Sequence, residues 1–338
     1  MTRAPVTRGN AALPSSRSGA SVDAVTRRAL LVVLLLGLVL CPLFPGVEGR
    51  ANAFVPPTAK VDTQRGDMVL VAGAAFRFGI EAKWLGTLPG NSAYGDPAGY
   101  PVTVSSFFID RTEVTVAAYA ACVQGGGCPP LIDGDNYATN HSVVCNYGKS
   151  GYDLHPINCV SHVEAEKFCA FVGKRLPTEY EFELAERGPK GKPFPWGDEP
   201  PLPVHVNACD ASCSREAQAK LSEQYSNMWP DINGDDGYGF TSPVGTYPAG
   251  ASPYGVLDLS GNVEEWVADP WWDLATLAPG TAPNPVNPPN PGASLSDFVI
   301  RGGSWDLNNV DAFSGVRRTE AAATTRAAWL GFRCARDS

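Results

Sequence analysis

Eight cysteines between Cys122 and Cys334 constrain this chain more than any other feature: Cys122, Cys128, Cys145, Cys159, Cys169, Cys209, Cys213 and Cys334. In an oxidising compartment an even number reads as a disulfide framework, here of four bridges. Eight allow on the order of 100 connectivities, so their order alone does not fix the pairing. Short separations favour Cys122–Cys128, Cys145–Cys159 and Cys209–Cys213. Cys169 and Cys334 are left over, and they would tie the middle of the chain to its end. The competing use of Cys209-x-x-x-Cys213, a soft-metal site, suits an oxidising compartment poorly.

The compartment is read from the N-terminus. Arg3, Arg8, Arg17, Arg27 and Arg28 form a positive region, Ala29 to Val39 is an unbroken apolar run, and Ala51-Asn52-Ala53 is a small-residue cleavage pattern. The run is shorter than the ~20 residues of a spanning helix unless Cys41 to Val47 is counted in, which would make it an uncleaved membrane anchor. Thr26 to Leu31 resembles a twin-arginine signal weakly. Cys41 follows Leu40, not a small residue, which argues against a lipoprotein. The expected organisation is an export signal over 1–53, a linker over 54–65 and one domain over 66–336. After cleavage no membrane contact is expected. The formal charge of −9 becomes −13 for the mature chain, since residues 1–53 carry six arginines, one aspartate and one glutamate. An acidic chain without basic clusters excludes nucleic acid as a partner.

With 35 glycines and 30 prolines, the domain should be loop-rich. Met68 to Phe78 reads as two strands about a glycine turn, and Val102 to Ile109 as another strand. Thr115 caps a helix running to about Gln124. Ser161 to Glu164 and Thr178 to Glu181 are capping boxes that open two further helices, ended by Gly173 and Gly188. The short connection between those two makes them neighbours. Residues 189–253 carry loop signals almost throughout, and 273–297 read as a surface loop. Phe298 to Trp305 and Trp329 to Ala335 are closing strands.

Tyr254 to Trp266, YGVLDLSGNVEEW, mixes apolar residues with turn formers and oxygen donors. Asp258 and Glu265 could supply side-chain oxygens to a hard cation, with carbonyls aimed by the Gly261 turn. An Asx-type turn is the plainer reading. His141, His155, His162 and His205 fall at no ligand spacing and read as capping, loop or surface residues. No G-x-S-x-G, P-loop or G-x-G-x-x-G signature is present.

The order of motifs carries more. His155-Pro156-Ile157-Asn158, Val160-Ser161, Gly173 to Glu179, Pro195-Trp196-Gly197, Tyr254 to Trp266, Arg301 to Trp305 and Leu330 to Cys334 together resemble the formylglycine-generating enzyme, or sulfatase-modifying factor, family over residues 66–336. The resemblance implies an α+β fold: a single loop-rich domain with little regular structure, related to C-type lectins. It also implies a Cys169–Cys334 disulfide and two calcium ions. One set of ligands maps to Asp258 and Glu265 by side chain with Gly261 and Val263 by carbonyl. The other maps to Asn207 and Asp236 by side chain with Ala208 and Tyr238 by carbonyl. An insertion from Cys209 to Asp231 makes Asn227 a rival for Asn207, so the first set is the more secure.

The family's oxidase activity rests on a cysteine pair that binds Cu(I) shortly after the G-G-S motif. Here no cysteine lies between Gly303 and Gly331. Asn, Asp and Leu do not replace thiolates for a soft ion, so copper is not expected and no catalytic residue is assigned. The resemblance leaves a cleft lined by Trp305, Asp306, Asn308, Asn309, Arg317 and Arg318, suited to a peptide or small-molecule ligand. The alternative is an oxidoreductase of different chemistry acting on protein or small thiols. Relatives that are iron-dependent sulfoxide synthases carry their iron histidines in an added N-terminal domain, for which a mature chain from Phe54 has no room.

Overall fold

The computed structural model describes residues 67–79, 99–131, 144–220, 234–272, 284–285 and 297–338. The expected signal, linker and cleavage site, Asn227, and most of 273–297 lie outside the described residues.

Nine strands and four α-helices are formed among the described residues. β1 (Met68–Val71), β4 (Phe107–Asp110) and β9 (Ala335–Asp337) make one antiparallel sheet, in the order β1-β4-β9. β2 (Ala74–Phe78) pairs with β3 (Tyr100–Val104). β7 (Thr319–Ala322), β6 (Asp297–Arg301), β5 (Glu264–Pro270) and β8 (Leu330–Phe332) make the third sheet, with β5 and β8 parallel.

Two expected strands are broken. Val102 to Ile109 splits at Ser105-Ser106, and Trp329 to Ala335 splits at Arg333-Cys334, so each half joins a different sheet. The glycine turn between β1 and β2 likewise sends its two strands to different sheets rather than folding them into a hairpin. Gly73 permits this, since a Cβ there would lie 2.5 Å from the Ser106 amide.

The helices follow their caps. α1 (Val116–Gln124) begins at Thr115, whose hydroxyl accepts the Ala118 amide. α2 (His162–Phe171) and α3 (Glu179–Arg187) both form complete capping boxes, on Ser161/Glu164 and Thr178/Glu181. Each reciprocal cap satisfies two otherwise orphaned backbone groups. α4 (Ala211–Lys220) stands where only loop was expected. Its apolar face is thin, with Cys213 and Ala217 buried. Its signal is local: Asp210 Oδ1 accepts the amides of Ser212 and Cys213, and good helix formers follow.

The core has two parts. Val71, Phe78, Val104, Phe107, Ile109, Val267 and Val299 pack with Phe182 and Leu184 of α3. Tyr119, Ile157, Phe168, Trp266, Ile300, Leu330 and Phe332 form the other part, under α1 and α2. Alternation along β5 sends Trp266 to one and Val267 to the other. α2 and α3 are close in sequence, but their apolar faces enter different cores.

Four disulfides join Cys122–Cys128, Cys145–Cys159, Cys169–Cys334 and Cys209–Cys213. Cys169–Cys334 spans 165 residues and anchors α2 beside β9. In the chain-entropy model a loop of that length contributes about 4–5 kcal/mol.

Candidate functional site

Residues 254–263 run as turns before β5 begins, and four of them, Gly255, Asp258, Gly261 and Asn262, hold positive-φ backbone that favours glycine or asparagine. Asn262 has φ 61° and Gly261 φ 84°. Only glycine fits at 261, because a Cβ would lie 2.1 Å from Val206 Cγ2 and 2.6 Å from the Asn207 carbonyl oxygen. That close approach brings the Asn207 segment against the Asn262 turn. Asn262 uses every polar group it has. Its side chain donates to Glu113 Oε1 at 3.0 Å and accepts the Ser242 amide at 2.9 Å and Asn207 Nδ2 at 3.1 Å. Its amide donates to the Asn207 carbonyl and its carbonyl accepts the Trp305 amide, both at 3.0 Å.

The first expected calcium set is closed by a guanidinium. Arg333 Nε donates to both oxygens of Glu265, at 3.0 and 2.7 Å, and Nη2 donates to Oε1 at 2.7 Å. The same Nη2 donates to the Asp258 carbonyl at 2.9 Å. Asp258 Oδ2 accepts the Gly245 amide. Burial, with the Asp258 charge beside it, pushes Glu113 well above the usual carboxylate range. Glu113 Oε2 is buried without a hydrogen-bond partner, and burial also pushes Asp258 up. A full-strength positive charge already sits among these acids, and both Glu265 oxygens are taken. In this arrangement the Asp258, Gly261, Val263 and Glu265 donors do not fit a divalent cation.

The second set differs. Asn207 is 1 % exposed, and its Nδ2 donates to the Phe240 carbonyl at 2.9 Å and to Asn262 Oδ1, which fixes the orientation of the amide. Asn207 Oδ1 is left buried with no hydrogen-bond partner. A buried orphan acceptor costs about 1–3 kcal/mol, so it calls for a ligand. The next residue, Ala208, donates its amide to Asp236 Oδ2, and Tyr238 donates to Asp236 Oδ1, both at 2.9 Å. Burial, with Asp210 and Asp235 nearby, pushes Asp236 up to about 7. Asp210 and Asp235 carry the loop: Asp210 Oδ2 accepts the Asp236 amide, and Asp235 Oδ1 accepts the Ser212 hydroxyl. Among the described residues no group of three or more His, Cys, Asp or Glu is arranged as a metal site. A site of one carboxylate, one amide oxygen and carbonyls is a calcium-type mixture, and these residues fit one.

The expected cleft residues divide. Ser304 Oγ donates to Asp306 Oδ1 at 2.6 Å. Burial, with Glu264 close by, pushes Asp306 up to about 6. Arg317 Nη1 is hydrogen-bonded to the buried Glu264 Oε1, which also accepts Thr319 Oγ1. Trp305 lies under this group, donating to the Ala328 carbonyl at 3.2 Å and meeting Phe240 edge to face. Asn309 turns to Asp311, and Asn308 is half-buried. Arg318 is tied to partners of its own. It holds Glu179 with two hydrogen bonds and stacks over Trp271, because neighbours on extended backbone face opposite ways. Glu264 was missed from the sequence, where it stood beside Glu265 as one more acid in a turn. Asp306 and Glu264 together offer carboxylate oxygens to hydrogen-bond donors, and Asp306, pushed up to about 6, can carry a proton near that pH.

Thiolate chemistry has no residues here. Every cysteine among the described residues is in a disulfide. In the stretch after Gly303, Leu307, Val310 and Ala312 pack on Phe194, Val206 and Ala208. The residues present do not fit Cu(I).

Comparison with known proteins places the chain. It is 34 % identical over 191 residues to the formylglycine-generating enzyme of Bos taurus, covering 54 % of this chain and 44 % of that protein. It therefore spans less than half the length of that relative. It is 31 % identical over 194 residues to inactive C-alpha-formylglycine-generating enzyme 2 of Bos taurus, covering 53 % of this chain and 50 % of that one. The structure of PvdO from Pseudomonas aeruginosa superposes with a TM-score of 0.60 at 26 % identity, over 80 % of this chain and 94 % of that one. The model of the sulfatase-modifying factor enzyme 1-like domain matches residues 53–338, and the chain belongs to that family.

Proposed function

We propose that this chain is an exported, calcium-binding member of the family whose cleft binds a peptide or small molecule and does not oxidise cysteine with copper. The observation that carries this reading is the fate of the thiols. All eight cysteines of the domain are in disulfides, and the segment after Gly303 presents apolar packing where the oxidase would need thiolates. Four disulfides support export to an oxidising compartment. The likeness to a relative named as inactive supports a member without the oxidase reaction.

A second reading is an enzyme of different chemistry on the same fold. One observation favours it: Asp306, pushed up to about 6, faces Glu264 and Arg317 in the cleft. That pair suits proton transfer on a bound ligand.

The test is to incubate the mature protein with Cu(I), oxygen and a peptide carrying a sulfatase cysteine, and to follow the peptide thiol by mass spectrometry. The peptide should be recovered unchanged. Turnover to an aldehyde would overturn the non-oxidase reading.

A further inference from the structure

The Asn207 donor set and the cleft wall share one short segment. Residues 206–209 run between them and alternate in what they touch. Val206 and Ala208 pack with Leu307, Val310 and Ala312 on the cleft side. Asn207 carries the orphan Oδ1, and the Ala208 amide grips Asp236. Three backbone hydrogen bonds continue the connection: Asn262 N–H to Asn207 O at 3.0 Å, Trp305 N–H to Asn262 O at 3.0 Å, and Cys209 N–H to Leu307 O at 2.7 Å. Trp305 also packs on the Cys209–Cys213 disulfide and Phe240, and the Phe240 carbonyl is held by Asn207 Nδ2.

The inserted helix closes the other side of the donor loop. Asp210 receives the first amides of α4 on one oxygen and the Asp236 amide on the other. Ser212 donates to Asp235. Three aspartates, 210, 235 and 236, are thus drawn together with no basic side chain among the donors of the set; Arg215 reaches Asp235 only from an exposed position, 3.7 Å away. A cation bound there would offset this concentration of carboxylates.

Resting on the reading of Asn207 and Asp236 as a calcium site, we propose that calcium occupancy of this set orders the cleft wall Trp305 to Asn309, so that the cleft ligand binds in a calcium-dependent way. Asn207 and Asn262 are then positioning residues that act on the cleft through the backbone of Trp305 and Leu307. The coupling is reciprocal: a ligand that orders the wall tightens calcium.

Amide hydrogen exchange of the whole chain, with calcium and with a chelator, tests this alongside titration calorimetry of calcium. Calcium should slow exchange in peptides covering 304–309 and 207–209 by about tenfold or more, and leave a β4 peptide unchanged. Asn207→Ala should abolish both the heat of binding and the protection, and Asn207→Asp, which keeps a donor oxygen, should retain them. Calcium binding to the wild type with unchanged exchange at 304–309 would overturn the coupling while leaving the site intact. Undiminished binding to Asn207→Ala would show that the cation sits elsewhere and overturn the proposal. No binding to the wild type would overturn the calcium reading, and the proposal with it.

Discussion

Two groups of oxygen donors lie within one turn of Asn262, and they have been filled in different ways. Around Asp258 and Glu265 the compensating charge comes from the chain itself, as the Arg333 guanidinium. Around Asn207 and Asp236 no side chain fills the gap, and a buried amide oxygen is left without a donor. Both sets look alike as lists of residues. What separates them is what holds the carboxylate: a charged guanidinium at Glu265, and neutral backbone amides at Asp236. A carboxylate already held by two guanidinium nitrogens offers a cation little, whereas an orphan acceptor is stabilised by any hard ion that reaches it.

The largest effect should come from breaking the internal pair. Arg333→Met leaves Glu265 buried without a partner and should cost about 3–5 kcal/mol in guanidinium unfolding. Adding Glu265→Gln should recover a good part of that loss. A loss under about 1 kcal/mol would mean that another group neutralises Glu265, and the contrast would fail.

Asn262 stands between the two sets, and its removal should hurt both. Asn262→Ala strands Glu113 Oε1 and the Ser242 amide and takes one of the two partners of Asn207 Nδ2, and should cost about 3 kcal/mol, read from the same unfolding curves.

Calcium itself should add about 2.7 kcal/mol at a hundredfold excess over its dissociation constant. The contrast predicts one ion per chain by native mass spectrometry. Asn207→Ala should remove the thermal shift and Glu265→Gln should keep it. Two ions per wild-type chain would break the comparison.

The smallest effect concerns the cleft. Asp306 is pushed up to about 6 from its ordinary 3.8, so the folded chain holds this proton more tightly than the unfolded one. Its contribution to stability therefore falls as pH rises from about 4 to about 6 and is level above that. Asp306→Asn should be nearly neutral at pH 4 and stabilising by about 1–2 kcal/mol at pH 8. A pH profile identical to wild type would place the carboxylate in solvent.

Local signals were legible in the sequence. α1, α2 and α3 begin where Thr115, Ser161 and Thr178 place their caps, because capping is decided by residues three or four apart. The short disulfides follow from separation for a similar reason. α4 escaped because its apolar stripe is thin and its neighbours are loop-forming, although Asp210 was there to cap it. The Ser105-Ser106 break escaped because a continuous β pattern does not say which sheet each half will join.

The site was legible as residue types but not as partnerships. Asp258, Glu265, Asn207 and Asp236 could be named from motif order. That Arg333 would enter the first set from 68 positions away could not, nor that Glu264 rather than Arg318 would face Arg317's side of the cleft. By itself the sequence determined the family, the helix caps, the short disulfide loops and the absence of cysteine between Gly303 and Gly331. Only the tertiary structure decided which acids were already neutralised, which amide oxygen was left unpaired and which backbone joined it to the cleft. Caps and short loops depend on near neighbours along the chain, whereas charge compensation inside a protein depends on whichever groups packing brings within hydrogen-bond reach.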